Sequence, residues 1–246
     1  MKKRTVTVSL MSLFLLFAVN LSGQTGETIE GIAEKPSGHQ IIKDKFIEGD
    51  PVWMTPVLIC FLVGLTIVIE RLITLYLSGI NTRKFISRIE DILKKDGLEA
   101  AKKECQITKG PVASIYYQGL DRVEEGIEKV EASVQSYGSV QMGILEKGLV
   151  WISLFIALSP MLGFLGTVVG MIQAFDKIAE VGDISPTIVA SGIKVALLTT
   201  VAGLIVAIIL QVFYNLILSK IDSIASDMEE ASIALTDMLI KNKIVK

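Results

Sequence analysis

The sequence predicts an all-α membrane protein: three transmembrane helices with long helical extensions on the cytoplasmic side. Hydrophobic residues make up 51% of the 246-residue chain, and its mean hydropathy is +0.56. They are gathered into uncharged blocks instead of alternating with polar residues, which is the pattern of helices bathed in lipid. Three of these blocks approach or exceed the roughly 20 residues that cross a hydrocarbon layer. Between and after them the apolar residues recur at helical spacing in a charged background.

The elements follow in order. Residues 1–23, "MKKRTVTVSLMSLFLLFAVNLSG", join a basic start, a short apolar run and small residues at Ser22 and Gly23. These are the parts of a secretory signal, with an uncleaved anchor as the alternative. Residues 24–50 are polar and predict a periplasmic segment. Residues 51–78 form the first span, with Glu70 and Arg71 near its inner end either as a local interfacial ion pair or paired with the loop helices. In the loop of residues 79–148, Phe85, Ile89, Ile92 and Leu93 share one helix face. Gly97 and Gly110-Pro111 mark breaks, and from Val112 the pattern continues as helix into the second span, residues 149–175. Pro160 lies just before that span's glycines and predicts a kink. A short link, residues 176–186, leads to the third span, residues 187–218. In the tail, 219–246, Ile221, Ile224, Ala225, Met228, Ala231, Ile233 and Leu235 recur near helical spacing. The tail therefore extends span three and packs on the loop helices.

Charge sets the orientation. The segment after the first span carries Arg71, Arg83, Lys84, Arg88, Lys94, Lys95, Lys102 and Lys103, whereas the link "DKIAEVGDISP" has a single lysine. The positive-inside rule places the loop and C-terminus in the cytoplasm and the N-terminus on the outer side of a multi-pass membrane protein; the periplasm and a bacterial inner membrane are what the resemblance described below implies.

Other functions lack their residues. A net charge of −2 gives no footprint for nucleic acid. The single histidine, His39, sits in a polar segment without a second ligand and reads as a solvated loop residue. Cys60 and Cys105 lie in unlike surroundings, so neither a disulfide framework nor a metal cage is expected. The chain has no nucleotide loop, no HExxH and no GxSxG. An intramembrane hydrolase would need a base within reach of a nucleophile, and the spans supply none near mid-membrane except Lys194. The chain is read as no enzyme, without cofactor or metal.

Small residues mark the second and third spans. Gly163, Gly166, Thr167 and Gly170 fall three and four apart, on one helix face. Gly192, Ala196, Thr200, Gly203 and Ala207 make a second such stripe. Two readings stay open on spacing alone. The stripes are a packing seam with threonines bonded one turn back, or they face a shared space.

"SPMLGFLGTVVGMIQAF" (159–175) together with "GIKVALLTTVAGLIVAIILQVFYN" (192–215) resembles the paired signature of the MotA/TolQ/ExbB proton-channel family. "IVIERL" (67–72) and the loop segment "DGLEAAKKECQITKGPVASIYYQGL" add to the likeness, which covers nearly everything from Val52 and is greatest to the ExbB branch. The resemblance implies a homopentamer around a dimer of a single-span ExbD- or TolR-like partner that carries a membrane aspartate. Proton flow would then energise outer-membrane transport through a TonB-like protein. A TolQ-type subunit of the Tol–Pal envelope system and a non-conducting membrane scaffold are the alternatives.

On this resemblance Thr167 and Thr200 match pore-facing threonines, with Thr199 a second hydroxyl beside them that leaves sodium open as the ion. Gly163, Gly166, Gly170, Gly192, Ala196, Gly203 and Ala207 would bring helices together around the partner. The chain departs from the pattern at one point. ExbB-type sequences carry a glutamate five residues before the second threonine, where this chain has Val195 beside Lys194. Lys194 is expected to snorkel outward or to pair with Asp176.

Overall fold

A computed structural model describes residues 38–182 and 185–242. The signal-like segment, 1–23, lies outside the described residues. Contacts divide the chain after Ile41. Of the first unit only the opening turn of α1 (Gly38–Glu48) is described; the architecture below belongs to the second unit, Ile42–Lys246. His39, expected in a loop, has its backbone in α1.

Every regular element among the described residues is helical. After α1 come α2 (Pro51–Ser78), α3 (Thr82–Lys95), α4 (Leu98–Ile107) and α5 (Pro111–Asp121). A 3-10 turn at Val123–Glu125 leads to α6 (Ile127–Leu145), α7 (Leu149–Val181) and α8 (Pro186–Lys241). Three of the helical stretches are long and apolar enough to cross a membrane, and they contain α2, α7 and α8. The predicted class, an all-α membrane protein, is the one observed.

Local chemistry accounts for the ends of α2 and α3. Asp50 accepts a hydrogen bond from the Val52 N–H at 3.0 Å, and Pro51 opens α2 where its missing N–H costs nothing. Asn81 Oδ1 accepts from the Lys84 N–H at 3.1 Å to start α3. Asp96 and Gly97 close α3 by donating to the Ile92 carbonyl.

The long helices divide the labour. In the spans, α7 and α8 make the most extensive helix pair, and α2 packs against both. α8 has 56 residues, about 84 Å at 1.5 Å per residue, so it runs far beyond any bilayer. Its distal half is the centre of a second assembly with α3, α5 and α6. There Tyr116, Leu120, Ile221, Leu235 and Leu239 are fully buried. Phe85 meets Tyr116 edge-on at 5.4 Å.

The helix expected to run from Val112 into the second span is instead interrupted twice. Gly126 has φ of 100° and Gly148 φ of 88°, values that an α-helix cannot include. Gly148 is also tightly approached, since a Cβ there would lie 3.1 Å from Arg71 Nε. Arg71 is almost enclosed, and its Nε lies 2.9 Å from Glu70 Oε2, the adjacent ion pair the sequence suggested. At the other end, α7 runs on through Asp176 to Val181, well into the segment expected to be link.

Candidate ion pathway at the seam of α7 and α8

The two small stripes face each other. A Cβ on Gly163 would stand 2.8 Å from the Thr199 carbonyl oxygen and 3.2 Å from Thr200 Cα. One on Gly166 would stand 2.6 Å from Thr199 Oγ1, and one on Gly170 3.3 Å from the Ala196 nitrogen. Gly192 is pressed on Ala174, and Gly203 on the Ser159 carbonyl. Lipid gives apolar helices no reason to associate, so close backbone approach and dispersion supply it. Ala207 is buried farther along α8.

Within this subunit the glycines bring α7 and α8 together backbone to backbone. No room remains in the seam, because the obstacle at Gly163, Gly170 and Gly203 is backbone. Ser159 and Ala174, four residues before Gly163 and after Gly170, extend the stripe at both ends. The same spacing rule would have found them. Ser159 is fully buried and donates to the Phe155 carbonyl at 2.7 Å, one residue before the Ile156 carbonyl that Pro160 cannot serve.

The three threonines differ. Thr199 is fully buried, fills the notch left by Gly166, and donates to Ala196 O at 2.9 Å. It is part of the packing, sealed away from any surface. Thr200 is half-buried and reaches across the seam to the Gly163 carbonyl at 3.3 Å. Thr167 is half-buried and donates to Phe164 O at 2.6 Å. Phe164 and Leu197, three residues before Thr167 and Thr200, are 66% and 60% exposed. These two threonines thus sit where the seam opens onto an apolar face. Each hydroxyl spends its proton on a carbonyl and keeps lone pairs to accept with.

Charge is confined to the ends. Residues 149–175 and 195–218 contain no Asp, Glu, Lys or Arg. Lys194 stands just outside that interval, and its Nζ lies 3.1 Å from Glu48 Oε1 at the end of α1. Of the two expectations for Lys194, the outward-reaching side chain agrees with its exposure, and the alternative of a pair with Asp176 is corrected to Glu48. Nothing local marked Glu48, which precedes Lys194 by most of the chain. A hydrogen bond from Lys45, then one from Lys194, hold the Glu48 carboxyl below its ordinary range.

This geometry bears comparison with known proteins. The model of the MotA/TolQ/ExbB proton channel family matches residues 107–230, which is half of the chain and includes both stripes. The chain belongs to the MotA/TolQ/ExbB proton channel family. It is 33% identical over 146 residues to an ExbB homolog of Methanothermobacter thermautotrophicus, covering 59% of this chain and 52% of the relative. An ExbB-like protein of Synechocystis is 28% identical over 187 residues, 72% of this chain and 70% of the relative. The biopolymer transport protein exbB1 of Vibrio cholerae is 45% identical over 62 residues, 25% of this chain and 27% of the relative. The chain thus spans about half the length of the archaeal relative and a quarter of the Vibrio one.

Proposed function

We propose that this chain is the ion-conducting stator subunit of an inner-membrane complex of the ExbB–ExbD–TonB type, spending the proton motive force on outer-membrane transport. The observation that carries the reading is the pair Thr167 and Thr200. They put neutral hydroxyls beside an exposed apolar face in two charge-free spans, one of them hydrogen-bonded across the seam. A fixed charge at that depth costs about 2.5–3.5 kcal/mol on insertion scales. A hydroxyl can hold water or accept from a carboxylic acid at far lower cost. With the glycines consumed inside the subunit, the partner's helix would lie against the face of Phe164 and Leu197, not against the glycine stripes. The carboxylate that relays protons would come from that partner. The positive-inside distribution supports a cytoplasmic loop bundle and a periplasmic N-terminus.

The membrane family favours a pentamer of this chain around two single-span partners. Co-purification with the product of the neighbouring single-span gene, followed by native mass spectrometry, tests it. Five copies with two partners is the expected species; a lone chain or simple dimer that never recruits the partner would remove the motor reading. A neighbouring gene for a Pal-type lipoprotein would move the assignment to the Tol–Pal alternative.

One observation favours a non-conducting scaffold. The small stripes are already satisfied by each other, which is all that ordinary packing requires. Thr167→Val and Thr200→Val separate the readings, since valine keeps shape and loses the hydroxyl. The channel reading expects normal assembly with lost energisation; unchanged transport in both variants would leave the scaffold.

A further inference from the structure

Lys194 is the only charged residue between Pro186 and Ser219 of α8, and more than half of its side chain faces away from the rest of the protein. An ammonium on an apolar, outward-facing helix surface needs a counter-charge. Its carboxylate arrives from another element. Glu48, the last residue of α1, divides its oxygens. Oε2 takes Lys45 Nζ at 2.7 Å within α1, and Oε1 takes Lys194 Nζ at 3.1 Å across to α8.

The turn after Glu48 supports this placement. Gly49 is buried, and a Cβ there would stand 3.1 Å from Met54 Cγ. Asp50 has φ of 63°, the only positive value at a non-glycine among the described residues, and its side chain caps the Val52 N–H. The chain therefore turns between α1 and α2 within two residues, and Glu48, at the end of α1, lies against α8. The other charged groups of these elements are Lys43 and Asp44 on α1, Asp50 in the turn, and Asp176, Lys177 and Glu180 near the end of α7. None of them makes an ion pair with Glu48 or Lys194.

We propose that the Glu48–Lys194 contact latches α1 onto α8 and that the Glu48 carboxylate offsets the positive charge at the end of the ion pathway, so that this carboxylate sets cation flux past Thr200. Thr200 lies six residues beyond Lys194, about 9 Å along the helix. Without the Glu48 carboxylate, Lys45 and Lys194 present two positive charges at that end and repel an approaching cation in a low-dielectric channel; with it, the three groups together carry one. The flux part of the proposal rests on the channel reading above; the latch does not.

Two experiments divide these parts. In a background with Cys60→Ala and Cys105→Ala, the doubly substituted Glu48→Cys/Lys194→Cys chain is treated in native membranes with a short bis-methanethiosulfonate reagent. Intramolecular cross-linking that is absent from either single cysteine variant is expected, and its failure would overturn the latch. Cation flux is then measured near neutral pH in liposomes holding the complex that the tagged full-length chain brings out of its membrane. Glu48→Gln is expected to lower flux about tenfold. The double variant Glu48→Gln/Lys194→Gln and the exchange Glu48→Lys/Lys194→Glu are expected to recover it. Equal flux in Glu48→Gln and the unsubstituted complex would overturn the charge role. A complex that conducts nothing even when unsubstituted would sink the channel reading and the flux claim together, and the cross-link would still decide the latch.

Discussion

The seam of α7 and α8 and the loop bundle around the distal half of α8 use the same helix in opposite ways. In the seam α8 presents Gly192, Ala196, Thr199 and Gly203, and the glycines of α7 meet nothing larger than the Val195 side chain. In the bundle it presents Ile221, Ile224, Met228, Leu235 and Leu239, all buried among aromatic and branched neighbours. The contrast follows the solvent. Water rewards large apolar side chains for leaving it, while lipid does not distinguish a leucine in a seam from one outside. The bundle should therefore be broken by removing atoms, and the seam by adding them.

The largest effect is expected from removal. Leu235 is fully buried and lies against the position of a Gly119 Cβ. Leu235→Ala should cost about 2–5 kcal/mol, the range for a truncated core leucine. Thermal unfolding in detergent micelles followed by circular dichroism would show it. Proteolysis should open α5 and α6 before the spans; equal susceptibility of both regions would refute a separate, side-chain-filled bundle.

A matched pair of glycines sharpens the comparison. Alanine at either site gains about 1 kcal/mol of helix propensity, so the obstacles decide. At Gly163 the new Cβ meets Thr199 O, Thr200 Cα and Gly203 Cα, all of them backbone. At Gly119 it meets Leu235 Cδ2 at 2.5 Å and Val134 Cγ2 at 2.9 Å, both ends of movable side chains. Gly163→Ala should cost about 3 kcal/mol, at the top of the overpacking range, and Gly119→Ala about 1 kcal/mol or less. A reversed order in the same unfolding assay would mean that the seam is looser than its contacts state.

The legible part of this molecule is what spacing alone encodes. Uncharged blocks gave the spans, and the recurrence from Ile221 to Leu235 gave α8 its extension and most of its buried face, although Ile233 of that series is exposed. Three and four residue steps placed the glycines on common faces, though not which surface those faces would meet. Single positions were harder. Thr199 and Thr200 are neighbours of identical chemistry, yet a 100° turn sends one into the Gly166 notch and leaves the other half open. Gly126, Gly138, Gly143 and Gly148 look alike in sequence. Gly138 and Gly143 stay helical, while Gly126 and Gly148 break the chain. At Gly148 the reason lies in Arg71, more than seventy positions earlier. Glu48 was invisible as Lys194's partner because the contact depends on a two-residue turn and on the fold of everything between them.

The smallest effect is a titration, and it also distinguishes the two regions. Cys105 and Tyr116 lie in the bundle, in α4 and α5, both buried. Burial, with the nearby Glu104 carboxylate adding to it, pushes the Cys105 thiol up to about 12. Burial raises the Tyr116 phenol as well. Each group stays neutral in the fold after its unfolded counterpart has begun to ionise. Above about pH 8.5, the ordinary thiol value, the unfolded chain therefore binds fewer protons and stability falls as pH rises. The fall continues until the folded thiol itself titrates. In the seam α7 and α8 offer the hydroxyls of Ser159, Thr167, Thr199 and Thr200, which carry no charge at these pH values, and the thiol beside it, Cys60 of α2 against Ser159, is removed for this experiment by Cys60→Ala. Hydrogen exchange measured at increasing pH, after correction for the intrinsic rate, should show α4 and α5 losing protection while the α7–α8 seam keeps it. Cys105→Ala should remove the thiol's share of that loss and leave the phenol's, which begins nearer pH 10. Protection that declines equally in both regions would mean that they unfold as one unit, and that the bundle does not hold itself together separately from the spans.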